Sequence, residues 1–255
     1  MALTIEELKQ VFDGTEEHLK YDIKVSFELE SFINKYNYKY HLNLQEQEKK
    51  ELLNKMKDEF LSKKIKEKIS NCKNCGLMNL ETHTQKVPGE GNTFSPIMLI
   101  GEAPGRDEDL MGKPFIGRAG QLLDRILNKL EVDREKIYVT NIIKCRPPNN
   151  RNPMEKEIKA CKEIIDMEIS IIDPKVIITL GSPALNFIKN GGRIIRDRGK
   201  WLTYQDGILV MPTFHPSYIL RQRGKAEYKV KWQVWDDFLK AFTKARELAP
   251  DYSFK

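Results

Sequence analysis

The chain has 255 residues, of which 40% are hydrophobic and 31% are charged. This length accommodates one full-sized domain with an appendage, since domains usually hold about 100 to 200 residues. The apolar runs are far shorter than the roughly 20 residues that span a bilayer, so a membrane protein is excluded. The moderate contents of glycine (15) and proline (12) exclude collagen-like and disordered classes.

The amino terminus is acidic and lacks the basic and apolar regions of a secretory leader. We therefore expect a cytoplasmic protein. In that reducing compartment, the four cysteines are expected to bind a metal or to be buried as thiols.

Charge is unevenly distributed along the chain. Residues 1–60 hold 9 Lys and no Arg against 13 acidic residues, whereas the whole chain carries a formal net charge of +6. The downstream part is therefore strongly basic. A basic domain attracts phosphate backbones, although a lysine-rich solvated surface gives the same balance, so charge alone leaves nucleic-acid binding open.

The first part of the chain has a helical pattern. Apolar residues recur every three or four positions from Leu42 to Ile69 among Lys and Glu, which predicts an amphipathic helix. We interpret residues 1–66 as a helical N-terminal extension and residues 67–255 as the main domain.

Strand and helix patterns alternate after residue 96. Four short apolar runs, each bounded by Gly, Pro or Asp, are typical of buried strands. These runs are Ile97–Ile100, Ile137–Ile143, Val176–Leu180 and Ile208–Met211. Helical spacing separates them, which predicts an α/β fold: a three-layer sandwich with a central, mostly parallel four-stranded sheet. Ligands of such folds bind at the carboxyl ends of the strands.

A glycine-rich loop, Gly-Glu-Ala-Pro-Gly at 101–105, follows the first of these strands, and a second glycine-rich turn lies at 112–120. Glycines let a backbone approach a ligand closely, but such a loop is also an ordinary strand-to-helix turn. The spacing fits neither a Walker A loop nor the dinucleotide fingerprint, so no nucleotide cofactor is expected. Asp107, Glu108 and Asp109 are interpreted as loop or helix-start residues.

More specific motifs follow the later strands. The chain contains Asn-Ile-Ile-Lys-Cys-Arg-Pro-Pro at 141–148, Arg-Gly-Lys-Trp at 198–201 and His-Pro-Ser at 215–217. With the loop at 101–105 and Pro-Phe-Ile-Gly-x-Ala-Gly at 114–120, these motifs stand in the order of the family 4 uracil-DNA glycosylases, the iron–sulfur branch of their superfamily. The chain resembles this family from about residue 65 to residue 248, and the N-terminal extension lies outside the pattern.

The resemblance implies an enzyme that hydrolyses the N-glycosidic bond of uracil in DNA and leaves an abasic site. Such an enzyme flips the base out of the stack and holds its Watson–Crick edge and its face. The expected partner is DNA containing uracil or another modified base, bound by a monomer away from any membrane.

The resemblance also implies roles for individual residues. Phe115 is the stacking platform and Asn141 reads the uracil edge through one acceptor and one donor, although these residues alone suit core packing and a turn cap equally well. His215 faces uracil O2 as the base gains negative charge, and Glu102 activates the attacking water. The other predicted substrate-binding residues are Gly101, Ala103 and Ser217.

Cations near these loops are candidates for phosphate contacts. The basic residues in question are Lys113, Arg118, Arg146, Arg151, Arg196, Arg198, Lys200 and Arg221. Tyr218 and Leu220 follow the His-Pro-Ser loop, where the resembled family places the segment that wedges into the duplex.

The cysteines have an informative spacing. Cys72 and Cys75 form a Cys-x-x-Cys pair, and Cys145 and Cys161 lie downstream. In the resembled family this arrangement holds a [4Fe-4S] cluster. Four thiolates suit zinc equally well and spacing does not decide between them, so the resemblance alone favours iron–sulfur. The expected role is to staple the segment before the sheet to the proline-rich loop, because a hydrolysis needs no electron.

Three alternatives remain open. The first is a glycosylase on the same scaffold that excises another deaminated or modified base. A covalently trapping relative is disfavoured because residues 145–153 contain no His. The third is a catalytically silent iron–sulfur nucleic-acid-binding protein, against which the complete set of Glu102, Asn141 and His215 argues.

Overall fold

The computed structural model describes residues 46–80 and 84–255, with side chains from residue 58 onward. Predictions for residues 1–45 lie outside the described residues. The elements in chain order are α1 (Glu46–Ser70), β1 (Glu90–Gly91), β2 (Ile97–Gly101), α2 (Arg106–Met111), α3 (Arg118–Lys129), β3 (Tyr138–Asn141), α4 (Glu155–Ile172), β4 (Val176–Leu180), α5 (Ser182–Ile188), α6 (Ile194–Asp197), β5 (Leu202–Tyr204), β6 (Ile208–Thr213), α7 (Pro216–Arg221) and α8 (Gly224–Leu248).

The strands form a six-stranded sheet in the order β1-β3-β2-β4-β6-β5. The four central strands are parallel, and β1 and β5 pair antiparallel at the two edges. The predicted α/β class and its four parallel strands are confirmed, while the strand count rises from four to six. The sequence pattern missed β1 and β5 because these edge strands have only two and three residues and are incompletely buried.

Two hydrophobic cores lie on opposite faces of the sheet, which gives the predicted three layers. Successive residues of β2 alternate between them: Met98 and Ile100 belong to the core under α1 and α4, and Ile97 and Leu99 to the core under α3 and α8. All four side chains are fully buried. This two-sided burial explains why the parallel strands read as continuous apolar runs in the sequence.

The predicted helix, α1, is confirmed from residue 46 onward, and from residue 58 its apolar side chains are buried on one side. It runs unbroken through residue 66, so the domain boundary predicted there falls inside a helix. Its buried residues Phe60, Leu61, Ile65 and Ile69 belong to the first core. The second half of α1 is therefore part of the packed structure, and the division of the chain into an extension and a catalytic domain stays a prediction.

The carboxyl ends of the parallel strands meet at one edge of the sheet. Gly101 and Asn141, the last residues of β2 and β3, are register partners in adjacent strands. The loops after β2, β3, β4 and β6 line a shared cleft at this edge. Within the described part of the chain, no helix combines the length and apolar character needed to cross a bilayer.

Candidate active site

The cleft has a volume of about 630 Å³. It brings together most of the residues that the sequence nominated for substrate binding and catalysis. The predicted site residues in its lining are Glu102, Ala103, Phe115, Asn141, His215, Ser217, Tyr218 and Arg221. Motifs more than 100 residues apart in sequence therefore share one concave site.

Asn141 lies deep in the cleft. The residue is only 3% exposed, and its side-chain amide makes no hydrogen bond to any described residue. The backbone carbonyl of the same residue is fixed, since it accepts a hydrogen bond of 2.8 Å from Lys144 Nζ. The amide is not among the fully buried polar groups that lack a partner, so its polar atoms are open to the cleft, where a ligand can reach them.

Gly101 forms the floor beside that amide. A Cβ atom at this position would lie 2.4 Å from both Asn141 Oδ1 and Phe115 Cζ. Only a glycine permits these two side chains to approach the strand end together. Gly101 was predicted to bind substrate. In the structure its contribution is the lack of a side chain, which leaves room for Asn141 and Phe115 behind the cleft wall.

Phe115 occupies a constrained turn above α3. Its φ of 53° lies in the left-handed region, which a non-glycine residue rarely adopts, and its side chain is 5% exposed. Gly120 makes room for this turn, because a Cβ atom there would lie 1.7 Å from the Phe115 carbonyl oxygen. The ring centroids of Phe115 and His215 are 5.7 Å apart with a 31° tilt. The two rings therefore form one wall of the cleft.

Glu108 joins the loop that carries Glu102 to the turn that carries Phe115. Its carboxylate accepts hydrogen bonds from the backbone nitrogens of Gly105 (3.1 Å), Ile116 (3.2 Å) and Gly117 (3.0 Å). Glu108 lies in the first turn of α2, as the sequence indicated. The sequence interpretation did not include its hydrogen bonds to the backbone of Ile116 and Gly117. Its place three residues after the N-cap Gly105 signalled the bond to Gly105, whereas no sequence pattern signalled the bond across to 116–117.

His215 follows β6 as the N-cap of α7. Its Nδ1 accepts a 3.1 Å hydrogen bond from the Ser217 backbone nitrogen and lies 2.9 Å from Ser217 Oγ. Burial, reinforced by the positive charge of Arg221, lowers the pKa of the imidazole to about 4. The ring is therefore neutral at neutral pH, and because Nδ1 accepts, the proton is on Nε2.

Glu102 is half-buried at the end of β2. Burial raises the pKa of its carboxyl group, and the positive charge of Arg221 partly offsets that rise. A carboxylate with a raised pKa is a stronger proton acceptor than an ordinary glutamate. Arg221 also donates to Ser217 Oγ at 3.3 Å, so one cation lies near both titratable groups of the cleft.

Comparison with known proteins agrees with this geometry. The sequence model of the Uracil DNA glycosylase superfamily matches residues 88–239. The chain belongs to the uracil DNA glycosylase superfamily. The resemblance inferred from the motifs is thereby confirmed.

Within the superfamily, the chain is similar to proteins named Type-4 uracil-DNA glycosylase. It is 44% identical to the protein of Sulfurisphaera tokodaii over 166 residues, which cover 62% of this chain and 74% of that relative. It is 41% identical to the protein of Thermotoga maritima over 179 residues, covering 69% and 91%. It is 43% identical to the protein of Saccharolobus solfataricus over 168 residues, covering 61% and 76%.

The cations predicted to bind DNA have different environments in this superfamily member. Arg118, Lys200 and Arg221 are exposed. Lys113 Nζ lies 3.1 Å from a carboxylate oxygen of Glu90, and both side chains are largely exposed. Such an exposed pair contributes little to stability.

Two other predicted DNA contacts have partners within the protein. Arg198 donates to the buried carboxylate of Asp237 and, at 2.9 Å, to the carbonyl of Gln233, which supports a structural role. Arg146 Nε donates to Asn150 Oδ1 at 2.7 Å. The sequence did not signal the contact of Arg198, because Asp237 lies 39 residues away and only the fold brings it near, whereas Asn150 is a local partner four residues after Arg146.

The two residues after His215 that were predicted to contact the duplex, Tyr218 and Leu220, both pack partly against the protein. Tyr218 stacks on Phe214 with ring centroids 4.8 Å apart. Leu220 is half-buried and lies outside the cleft lining.

The four cysteines line one small cavity between the segment that follows α1, the loop after β3 and α4. Cys145 and Cys161 are buried, and Cys72 and Cys75 are half-buried. Hydrogen bonding with the Cys145 thiol lowers the pKa of Cys75 to about 6, whereas burial raises the pKa of Cys161 to about 11. No histidine or carboxylate side chain lines this cavity.

That donor set fits a thiolate-bound group, because sulfur is the sole ligand type in the lining of the cavity. Among the described residues, no group of three or more His, Cys, Asp or Glu side chains has the arrangement of a metal site. Thiolates are ligands of zinc as well as of iron–sulfur clusters.

Proposed function

We propose that this chain is a uracil-DNA glycosylase that hydrolyses the N-glycosidic bond of uracil in DNA and leaves an abasic site for base excision repair. The observation that carries the proposal is the Asn141 amide, which has no hydrogen-bond partner among the described residues and faces the cleft of a uracil DNA glycosylase superfamily member. The name of the relatives, Type-4 uracil-DNA glycosylase, supports the same substrate.

Base recognition rests on three groups in this proposal. The Asn141 amide supplies one donor and one acceptor, which complement O4 and N3–H of uracil. Phe115 supplies an apolar face for the flipped base. Gly101 keeps the space between them clear, since any side chain there would collide with both.

Catalysis rests on two groups with opposite electrostatic tasks. As the glycosidic bond stretches, the sugar becomes cationic and the base anionic. Neutral His215, with its proton on Nε2, donates to uracil O2 as negative charge develops there. The Glu102 carboxylate stabilises the sugar cation and accepts the proton of the attacking water. Ser217 holds the imidazole in the tautomer that this task requires.

We further propose that the four cysteines hold a [4Fe-4S] cluster, with zinc as the alternative. The four cysteines that share one cavity, without a histidine or carboxylate side chain in its lining, support this assignment. When bound, such a group supplies a cross-link between the segment before the sheet, the loop after β3 and α4, and it takes no part in hydrolysis.

Cluster identity is tested by metal analysis. Protein purified without oxygen should be brown, with broad absorbance near 400 nm and about four irons per chain, as expected of thiolate-bound iron. Cys145→Ser should lower the melting temperature as well as the iron content, because metal binding is coupled to folding. A colourless protein with stoichiometric zinc would identify the alternative metal.

For DNA binding, we propose phosphate contacts by Lys113, Arg118, Arg146, Lys200 and Arg221, flanked by Tyr218 and Leu220. The exposure of Arg118, Lys200 and Arg221 supports this set. The cytoplasmic location and the monomeric state stay predictions.

The activity is tested with oligonucleotides that carry uracil, hypoxanthine or a modified cytosine at one position. After incubation with the pure protein, alkali cleaves the strand wherever a base has been removed. We expect cleavage at uracil and little at the other bases. Preferential cleavage at another base would show that the scaffold serves the alternative substrate, and cleavage at none would favour the catalytically silent protein.

A further inference from the structure

The first half of α8 carries aromatic side chains on its solvent side. Tyr228 and Trp232 are 69% and 71% exposed, and Trp235 is half-buried against the second core. Their spacing of four and three positions places the three residues on one face of the helix, which we call the aromatic row. Adjoining exposed apolar residues mark interaction sites, whereas single scattered ones need no explanation.

Two lysines lie beside the aromatic row. Lys225 and Lys229 are exposed, and their ammonium groups make no ion pair or hydrogen bond to a described residue. Each lies three residues before an exposed ring of the row, so lysine and ring are neighbours on the helix surface. Two unpaired positive charges therefore border two exposed aromatic faces.

The aromatic row adjoins the cleft. Arg221, at the end of α7, lines the cleft, and only Gln222 and Arg223 separate it from α8. The helices α7 and α8 also pack against each other. At about 1.5 Å per helical residue, Trp232 lies about 12 Å from the start of α8. A DNA strand that leaves the cleft past Arg221 reaches the row within a few nucleotides.

The charge of this surface favours a polyanion as its partner. A second copy of the chain would place its own lysines against these, and an uncharged apolar partner would leave both ammonium groups without a counter-charge. Single-stranded nucleic acid matches both features, because its phosphates bind cations and its unpaired bases stack on aromatic side chains. In a duplex the base faces are covered by neighbouring bases, so a duplex uses the lysines alone.

We propose that the aromatic row, with Lys225 and Lys229, binds single-stranded DNA that flanks the uracil, as a second contact surface outside the cleft. The inference rests on the proposed activity on DNA. The rings of Tyr228 and Trp232 stack on unpaired bases, and the two lysines bind the phosphates beside them. This surface adds affinity for the strand and touches none of the reacting atoms.

The test measures dissociation constants for a uracil-free oligonucleotide of about 16 nucleotides, as a single strand and as a duplex. Tyr228→Ala and Trp232→Ala should each weaken single-strand binding by about tenfold, the scale of one lost base–aromatic stack, and change duplex binding by less than about twofold. Leu248→Ala is the matched control, because Leu248 is a 47% exposed apolar residue near the other end of α8. Unchanged melting temperatures show that the variants are folded.

Salt dependence tests the lysines separately. Replacing Lys225 and Lys229 together with Ala should reduce the slope of log affinity against log salt concentration by about 1.4 for the single strand, since each phosphate contact contributes roughly 0.7. The two aromatic variants should keep the wild-type slope. An unchanged slope in the double lysine variant would overturn the proposed phosphate contacts.

The outcomes also separate this proposal from the proposed function. Binding of uracil-free DNA needs no excision, so a protein that releases no uracil but shows the predicted losses would fail as the enzyme and retain this surface. An unchanged ratio of single-strand to duplex affinity in Tyr228→Ala and Trp232→Ala overturns the proposal. Loss of dimer formation or of binding to anionic phospholipid vesicles in these variants, with DNA affinity unchanged, would assign the surface to another partner and overturn it too.

Discussion

At the scale of single residues, two side chains of the cleft are in unusual states. The Asn141 amide faces the cleft without a hydrogen-bond partner among the described residues, and Phe115 is held at a positive φ. A positive φ at a non-glycine residue costs free energy in the folded protein and persists at sites where a ligand or a reaction uses it. The sequence motifs nominated these residues, while their strain and lack of partners emerged only from the fold.

Asn141→Asp tests the assigned contact to the base. The carboxylate cannot donate to uracil O4 and leaves a buried group unsatisfied, which costs about 1–3 kcal/mol and predicts about a tenfold or greater loss in uracil excision. Rates on uracil- and cytosine-containing oligonucleotides measure this loss. Unaltered uracil activity together with unaltered rejection of cytosine would refute the contact.

At the scale of secondary-structure elements, a buried ion pair joins β3 to α4. Lys144 and Glu168 are 1% and 0% exposed, with Nζ 2.5 Å from the carboxylate. Glu168 also accepts from Tyr138 Oη and the Gly89 backbone nitrogen, and Lys144 holds the Asn141 carbonyl. This network links the base-binding strand end to the helix that carries Cys161.

Lys144→Met should destabilise the fold by about 3–5 kcal/mol, because it leaves a buried carboxylate without its partner. Denaturant unfolding measures the change. The matched control is Lys159→Met, which removes an exposed ion pair with Glu155 within α4 and should cost about 0.5 kcal/mol or less. Equal costs for the two variants would mean that the buried pair adds nothing beyond a surface pair.

At the scale of the whole molecule, the elements on each side of the sheet were predictable and the contacts between them were not. The runs from Ile97 and Val176 were recognisable because strands buried on both faces are continuously apolar. Arg198 shows the limit: a cation in a motif suggested DNA, yet its partner Asp237 lies 39 residues away and only packing brings it near. Glu108 is a second example, because no sequence pattern indicated that its carboxylate accepts hydrogen bonds from the backbone nitrogens of Ile116 and Gly117.

Truncation tests how much of the N-terminal region the catalytic structure needs. Removing residues 1–45 should leave uracil excision from a single-stranded oligonucleotide largely intact. Removing residues 1–62 deletes Phe60 and Leu61 from the first core, at a cost of roughly 2–5 kcal/mol for each buried side chain, and should lower the melting temperature sharply. Equal melting temperatures for the two truncations would contradict the packing of α1.

The division of labour between Glu102 and His215 is the central claim, and pH dependence follows from their environments. The raised pKa of Glu102 means that the carboxylate becomes protonated, and catalysis declines, at a higher pH than for an ordinary glutamate. His215 stays neutral until the pH approaches about 4, so its protonation does not set this decline. A single acidic limb governed by Glu102 is therefore expected.

The most direct measurement is the single-turnover rate of uracil release at saturating enzyme for the wild type, Glu102→Gln and His215→Ala. Glu102→Gln should lower the rate by about 10²-fold or more while DNA binding persists, and should abolish the acidic limb. His215→Ala should lower it by about 10²- to 10³-fold, the scale for one lost oxyanion donor. Rates within threefold of the wild type for either variant would contradict the mechanism.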